Sequence, residues 1–176
     1  MPKTNKWWLA ISLIVTLYLA TRLVNLTILP IFTDEAIYIR WGQIGLRDAS
    51  HRFLSLEDGK QPLFVWLMYP MLKIFSDPLV AGRMVSVLTG LGSLIGIMLL
   101  ARVLFGKKTV ISTAILYLVS PFFLFYDRLS LYDSLTTMFS IWAMVLEIWL
   151  VQTLRLDAAL LLGFAIGGGL LTKSSA

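Results

Sequence analysis

Hydrophobic residues in this chain come in long blocks separated by short polar stretches. The first block, about Trp7 to Leu29, follows Lys3 and Lys6, and Trp7-Trp8 suit a membrane–water interface. It is longer than a signal-peptide core, and no small-x-small cleavage site follows it. Blocks at about Met84–Phe105, Thr109–Tyr126, Leu135–Gln152 and Ala158–Leu171 read as four more spans. Pro62–Phe75 is also apolar, but it falls short of the ~20 residues a spanning helix needs. With Pro70 inside it, it predicts a re-entrant or interfacial helix.

The stretch from Ile31 to Gln61 is mixed. Ile37, Trp41 and Ile44 share one helical face, and Arg40, Gln43 and Arg47 another, which predicts an amphipathic helix lying on the bilayer. Asp48 to Lys60 reads as loop, with Glu57-Asp58-Gly59 as turn chemistry. Residues 31–83 therefore form one extracytoplasmic loop carrying interfacial helices. If Pro62–Phe75 does not cross, the next span runs inward and Lys107-Lys108 land in the cytoplasm. If it crosses, that basic pair falls outside, against the positive-inside tendency. The later spans then alternate outward, inward and outward, with Arg155 on the cytoplasmic side. Gly92-x-x-x-Gly96 and Gly163-x-x-x-Gly167 are small-residue spacings that let helices approach closely.

Composition fixes the class. Of 176 residues, 58% are hydrophobic and 14% charged, against about 25% charged in a soluble domain. The expected fold is all-α, a polytopic transmembrane helical bundle in the plasma membrane. The absence of cysteine excludes disulfides and thiolate metal sites, and one histidine, His51, excludes a His-rich cluster. The net charge of +5 suits anionic lipid, and no basic–aromatic pattern points to nucleic acid.

Charge placement then narrows the function. The topology brings Asp34, Glu35, Arg83, Asp127, Arg128, Asp133 and Lys173 to the outer membrane face from separate parts of the chain. Acids beside a bilayer are costly and tend to mark function. Mixed acids and cations at one interface can bind and transform a charged, lipid-linked group. The plain alternative is that such charges only terminate spans.

Five motifs in chain order carry a resemblance. They are Arg22-Leu23; Asp34-Glu35-x-x-Tyr38; Gln61-Pro62-Leu63 with Trp66; Arg83 with Ser86 and Leu88; and the run Tyr126 to Leu135, with Arg128 and Asp133 five apart and Phe139 after. Leu171-Thr172-Lys173-Ser174 adds a Leu-x-Lys signature. Together they resemble the GT-C membrane glycosyltransferases, nearest to the protein O-mannosyltransferases and bacterial aminoarabinose transferases. Where that group often has Lys-Pro-Pro or Glu-Lys-Pro, this chain has Lys60-Gln61-Pro62. Members of the group run to several hundred residues, so the chain reads as the N-terminal part of a larger module.

The resemblance implies transfer of mannose, aminoarabinose or another hexose or pentose from a polyprenyl-phosphate donor to a hydroxyl of a protein, lipid or glycan. The expected mechanism inverts the anomeric carbon. One carboxylate takes the acceptor's proton, as in inverting glycosidases, and cations stabilise the departing phosphate. Asp34 is assigned as the base. Glu35 either positions the acceptor, shares a cation with Asp34, or favours the helix start. Arg83 serves the donor phosphate or a carboxylate. Arg128 and Asp133 pair with each other or reach the donor or Asp34. Lys173 binds phosphate, Lys60 substitutes for the missing family cation, and Tyr38, Trp41 and Trp66 line a sugar or lipid groove. No protein metal site is assigned, although two adjacent acids can share a divalent cation with donor phosphate. Two other readings remain from sequence: a transporter or flippase subunit, and a truncated scaffold without activity.

Overall fold

A computed structural model of the chain describes residues 4–174; Lys3, placed ahead of the first span, lies outside them. All regular structure among the described residues is helical: α1 (Thr4–Leu23), α2 (Thr33–Arg47), α3 (Leu63–Ile74), α4 (Pro78–Phe105), α5 (Val110–Val119), α6 (Pro121–Tyr126), α7 (Tyr132–Thr153) and α8 (Leu156–Thr172), with two short 3-10 turns between α2 and α3. By length and apolarity α4 and α7 are able to cross a membrane alone, while α1, α3, α5 and α8 are shorter apolar helices.

The centre of the bundle is α4. Asp77 accepts from the Leu79 N–H ahead of Pro78, a capped start with proline in the first turn. One of its faces packs with α2, α3 and α7 around Tyr38, Phe64, Met68, Val85, Tyr132 and Leu135. Another packs with α1 and α5 around Tyr18, Val87, Leu94, Met98 and Tyr117. Gly92 and Gly96 face α7: a Cβ added there would lie 2.6 Å from Met138 Sδ and 2.8 Å from Ile141 Cγ2. The second spacing does not act this way, since Gly163 and Gly167 face open space, and Gly168 instead meets the Phe139 ring. Outward-facing Leu9, Leu13, Leu116, Phe122, Val151 and Phe164 form the apolar exterior that hydrocarbon surroundings require.

Three boundaries differ from the sequence reading. The first helix stops at Leu23 rather than near Leu29, and Asn25 follows with a left-handed φ of 51°. The block Thr109–Tyr126 is two helices, because Ser120 turns extended ahead of Pro121. On α2 the buried positions are Glu35, Tyr38, Ile39, Gly42 and Gly45, while Ile37 points outward. Gly42 and Gly45 lie against Met68, Tyr69 and Leu72 of α3, so α2 packs through Tyr38, Ile39 and these glycines, with Trp41 of the expected stripe at the edge of the core and Ile37 outside it.

Candidate functional site

Asp34 and Glu35 open α2, where acids complement the helix dipole. Adjacent helical residues point about 100° apart, so the two carboxylates serve different surroundings.

Glu35 turns inward and is fully buried. Its Oε1 accepts from Arg83 Nε at 2.9 Å and the Ser130 N–H at 2.6 Å. Its Oε2 accepts from Arg83 Nη2 at 2.8 Å and the Phe32 N–H at 3.1 Å. Arg83, equally buried, also donates to the carbonyls of Leu26 at 2.7 Å, Leu29 at 3.1 Å and Pro30 at 3.3 Å. This bidentate pair ties four pieces of chain together: the loop after α1, α2, α4, and the loop before α7. Neither residue reaches the open cavity described next.

Asp34 is exposed to a cavity of about 350 Å³. Four segments wall it: Phe32, Asp34 and Tyr38; Gly59, Lys60 and Gln61; Tyr126 with Leu131, Tyr132 and Asp133; and Thr172, Lys173 and Ser174. Lys173 Nζ lies 3.4 Å from Asp133 Oδ1, with both side chains partly exposed. Tyr38 is 5% exposed, and its ring meets Tyr132 edge-on at 4.7 Å. Burial, with the Asp34, Asp133 and Asp58 carboxylates adding to it, pushes the Tyr38 hydroxyl up to about 12. At neutral pH it is therefore a neutral phenol able to donate. The cavity thus combines two carboxylates, two lysines and the phenols of Tyr38, Tyr126 and Tyr132.

Of the residues named from sequence, the structure brings Asp34, Tyr38, Lys60, Asp133 and Lys173 to this cavity; Trp41 and Trp66 do not line it, Trp41 packing on Tyr38 and Trp66 donating to the Arg52 carbonyl. Glu35 and Arg83 form the clasp beneath. Arg128 caps α1 instead, donating to the carbonyls of Thr21 at 3.3 Å, Val24 at 3.0 Å and Asn25 at 2.6 Å. Tyr132 and Thr172 line the cavity without having been singled out; each adjoins a named charge, which was the available signal. Among the described residues no group of three or more His, Asp or Glu is arranged to hold a metal ion.

A family model described as dolichyl-phosphate-mannose-protein mannosyltransferase matches residues 59–176. No curated protein and no solved structure gives a significant match to the chain.

Proposed function

The chain belongs to the dolichyl-phosphate-mannose-protein mannosyltransferase family, and on that premise we propose that it moves a sugar from a polyprenyl-phosphate donor to an acceptor hydroxyl at the outer face of the cell membrane. The observation that carries this reading is the cavity where Asp34 shares one wall system with Asp133, Lys60 and Lys173. It offers what the reaction asks for, a carboxylate and phosphate-binding cations in a single chamber.

In this reading Asp34 is the base. It takes the acceptor's proton as the acceptor oxygen bonds to the anomeric carbon from the face opposite the phosphate. The bond from that carbon to the phosphate oxygen breaks, and polyprenyl phosphate leaves with the electron pair. Phosphate is already a good leaving group, so cationic stabilisation takes the place of a strong acid. Lys173 and Lys60 supply that stabilisation as point charges. Asp133 holds Lys173 in place, and Tyr38 with Tyr132 offers apolar ring surface and a hydroxyl to the sugar. Glu35 and Arg83 act beneath the site, holding the α2 start against α4, and Arg128 steadies the end of α1. The arrangement of helices about an outward-facing interfacial pair, α2 and α3, is of the GT-C kind in this reading.

The test uses the full chain in lipid vesicles with a panel of polyprenyl-phosphate sugars: mannosyl, aminoarabinosyl and other hexosyl donors. Transfer is expected with at least one of them. Asp34→Asn should lower turnover by about 10²- to 10⁴-fold, the usual worth of a positioned base, with membrane insertion unchanged. Near-normal turnover in Asp34→Asn would show that the base is elsewhere.

A further inference from the structure

A second buried ion pair lies deeper in the bundle, away from the cavity. Arg22, in the last turn of α1, and Asp127, just after α6, are both almost fully buried. Arg22 Nε stands 3.8 Å from Asp127 Oδ2, and its guanidinium lies 4.7 Å from the centre of the Tyr18 ring. Arg22 Nη1 donates to the Leu118 carbonyl at 3.2 Å and to Thr21 Oγ1 at 2.8 Å. Its Nε and Nη2 have no hydrogen-bond partner among the described residues. As a stabiliser this pair is poor, because burial of both charges and two unpartnered N–H groups offsets the attraction.

The contacts of Asp127 lead to the cavity. Its Oδ2 accepts from the Tyr117 hydroxyl at 3.1 Å, and its Oδ1 from Ser134 Oγ at 2.9 Å. Ser134 lies in the first turn of α7 and immediately follows Asp133. Asp133 holds Lys173 in the cavity wall. α4 passes close by at Gly90, where a Cβ would collide with the Tyr18 hydroxyl and the Asp127 carboxylate, so backbone alone fits there. The loop from Asp127 to Leu131 is thus fastened by Arg22 through Asp127, by the α1-end carbonyls through Arg128, and by Glu35 through the Ser130 N–H.

We propose that the Arg22–Asp127 pair is a positioning device that, through Ser134, sets where α7 begins and so fixes Asp133 and Lys173 across the cavity from Asp34. Its catalytic consequence rests on the transferase reading above, but its geometric consequence does not, and the test separates the two.

The chain has no cysteine, so spin labels at Lys60→Cys and Asp133→Cys report the cavity width in the full chain in nanodiscs. The background variant is Arg22→Met with Asp127→Leu, which removes both charges together and spares the fold an unpaired one. Its label-to-label distance distribution should broaden clearly beyond that of the unsubstituted background. Ser134→Ala, which leaves the ion pair intact and removes the Ser134 hydroxyl from both Asp127 and the Tyr126 carbonyl, should broaden it in the same way. In the unlabelled chain both changes should raise the donor KM, as loss of Lys173 should, and lower kcat/KM by about tenfold or more. An unchanged distance distribution in Ser134→Ala overturns the proposal, as does unchanged kcat/KM in an active enzyme. If no sugar donor is turned over by the unsubstituted chain, the transferase reading falls, and the distance measurement still decides whether the pair positions residue 133.

Discussion

Replacing Glu35 by alanine separates the clasp from the chemistry. Four donors lose an acceptor: Arg83 Nε and Nη2 and the N–H groups of Ser130 and Phe32. Arg83 keeps its carbonyl partners but becomes a buried charge with no counter-charge, a loss of about 3–5 kcal/mol. The Ser130 N–H, also buried, adds about 1–3 kcal/mol when left unpaired. The sum, about 4–8 kcal/mol, rivals the whole stability of many folded domains. Asp34→Asn one position earlier changes an exposed side chain and should stay within about 0.5 kcal/mol. Thermal melting of the detergent-solubilised chain reads the contrast. Glu35→Ala should lower Tm by about 10 °C or more or fail to accumulate in membranes, whereas Asp34→Asn should melt within about 2 °C of the parent. A Glu35→Ala protein that melts normally and loses only turnover would refute the clasp and return Glu35 to the reacting centre.

Other expectations follow from the same geometry. Lys173→Met should raise the donor KM by about tenfold, with Tm nearly unchanged, because its side chain is half exposed and makes one contact, to Asp133. Gly90→Ala should cost about 1–3 kcal/mol in a melting assay, since its methyl meets Tyr18 and Asp127 in a packed interior. Arg128→Met should cost about 1–3 kcal/mol, as three carbonyls at the end of α1 lose a charged donor, and should leave donor KM unchanged. A membrane-impermeant thiol reagent should label Ser76→Cys from outside and spare Lys107→Cys in sealed cells; the opposite pattern would invert the proposed orientation.

Much of the helical plan was readable because hydrocarbon imposes long apolar runs. The block Pro62–Phe75 holds a helix, α3, with Pro70 inside it; that it stays at the surface without crossing belongs to the proposed topology. The packing face of α2 was not readable by the usual rule. Ile37 stays exposed, while Gly42 and Gly45 give the close approach to α3 that a large side chain would prevent. The division of labour between Asp34 and Glu35 was hidden for a different reason. Sequence gives two neighbouring acids, and only the position of Arg83, far along the chain, decides which of them is enclosed. Arg128 shows the same limit: its charge was evident, but its partners were carbonyls of a helix that ends earlier than the apolar run suggested.

The cavity walls come from segments far apart in the chain, so Asp34 and Lys60 emerge during synthesis well before Lys173. Until α8 is made the chamber therefore lacks one side. A nascent chain halted before α8 would carry Asp34 and Lys60 but present the donor with an open trough. In the transferase reading, a translation-arrest series should show donor binding arising in one step, when Lys173 clears the insertion machinery.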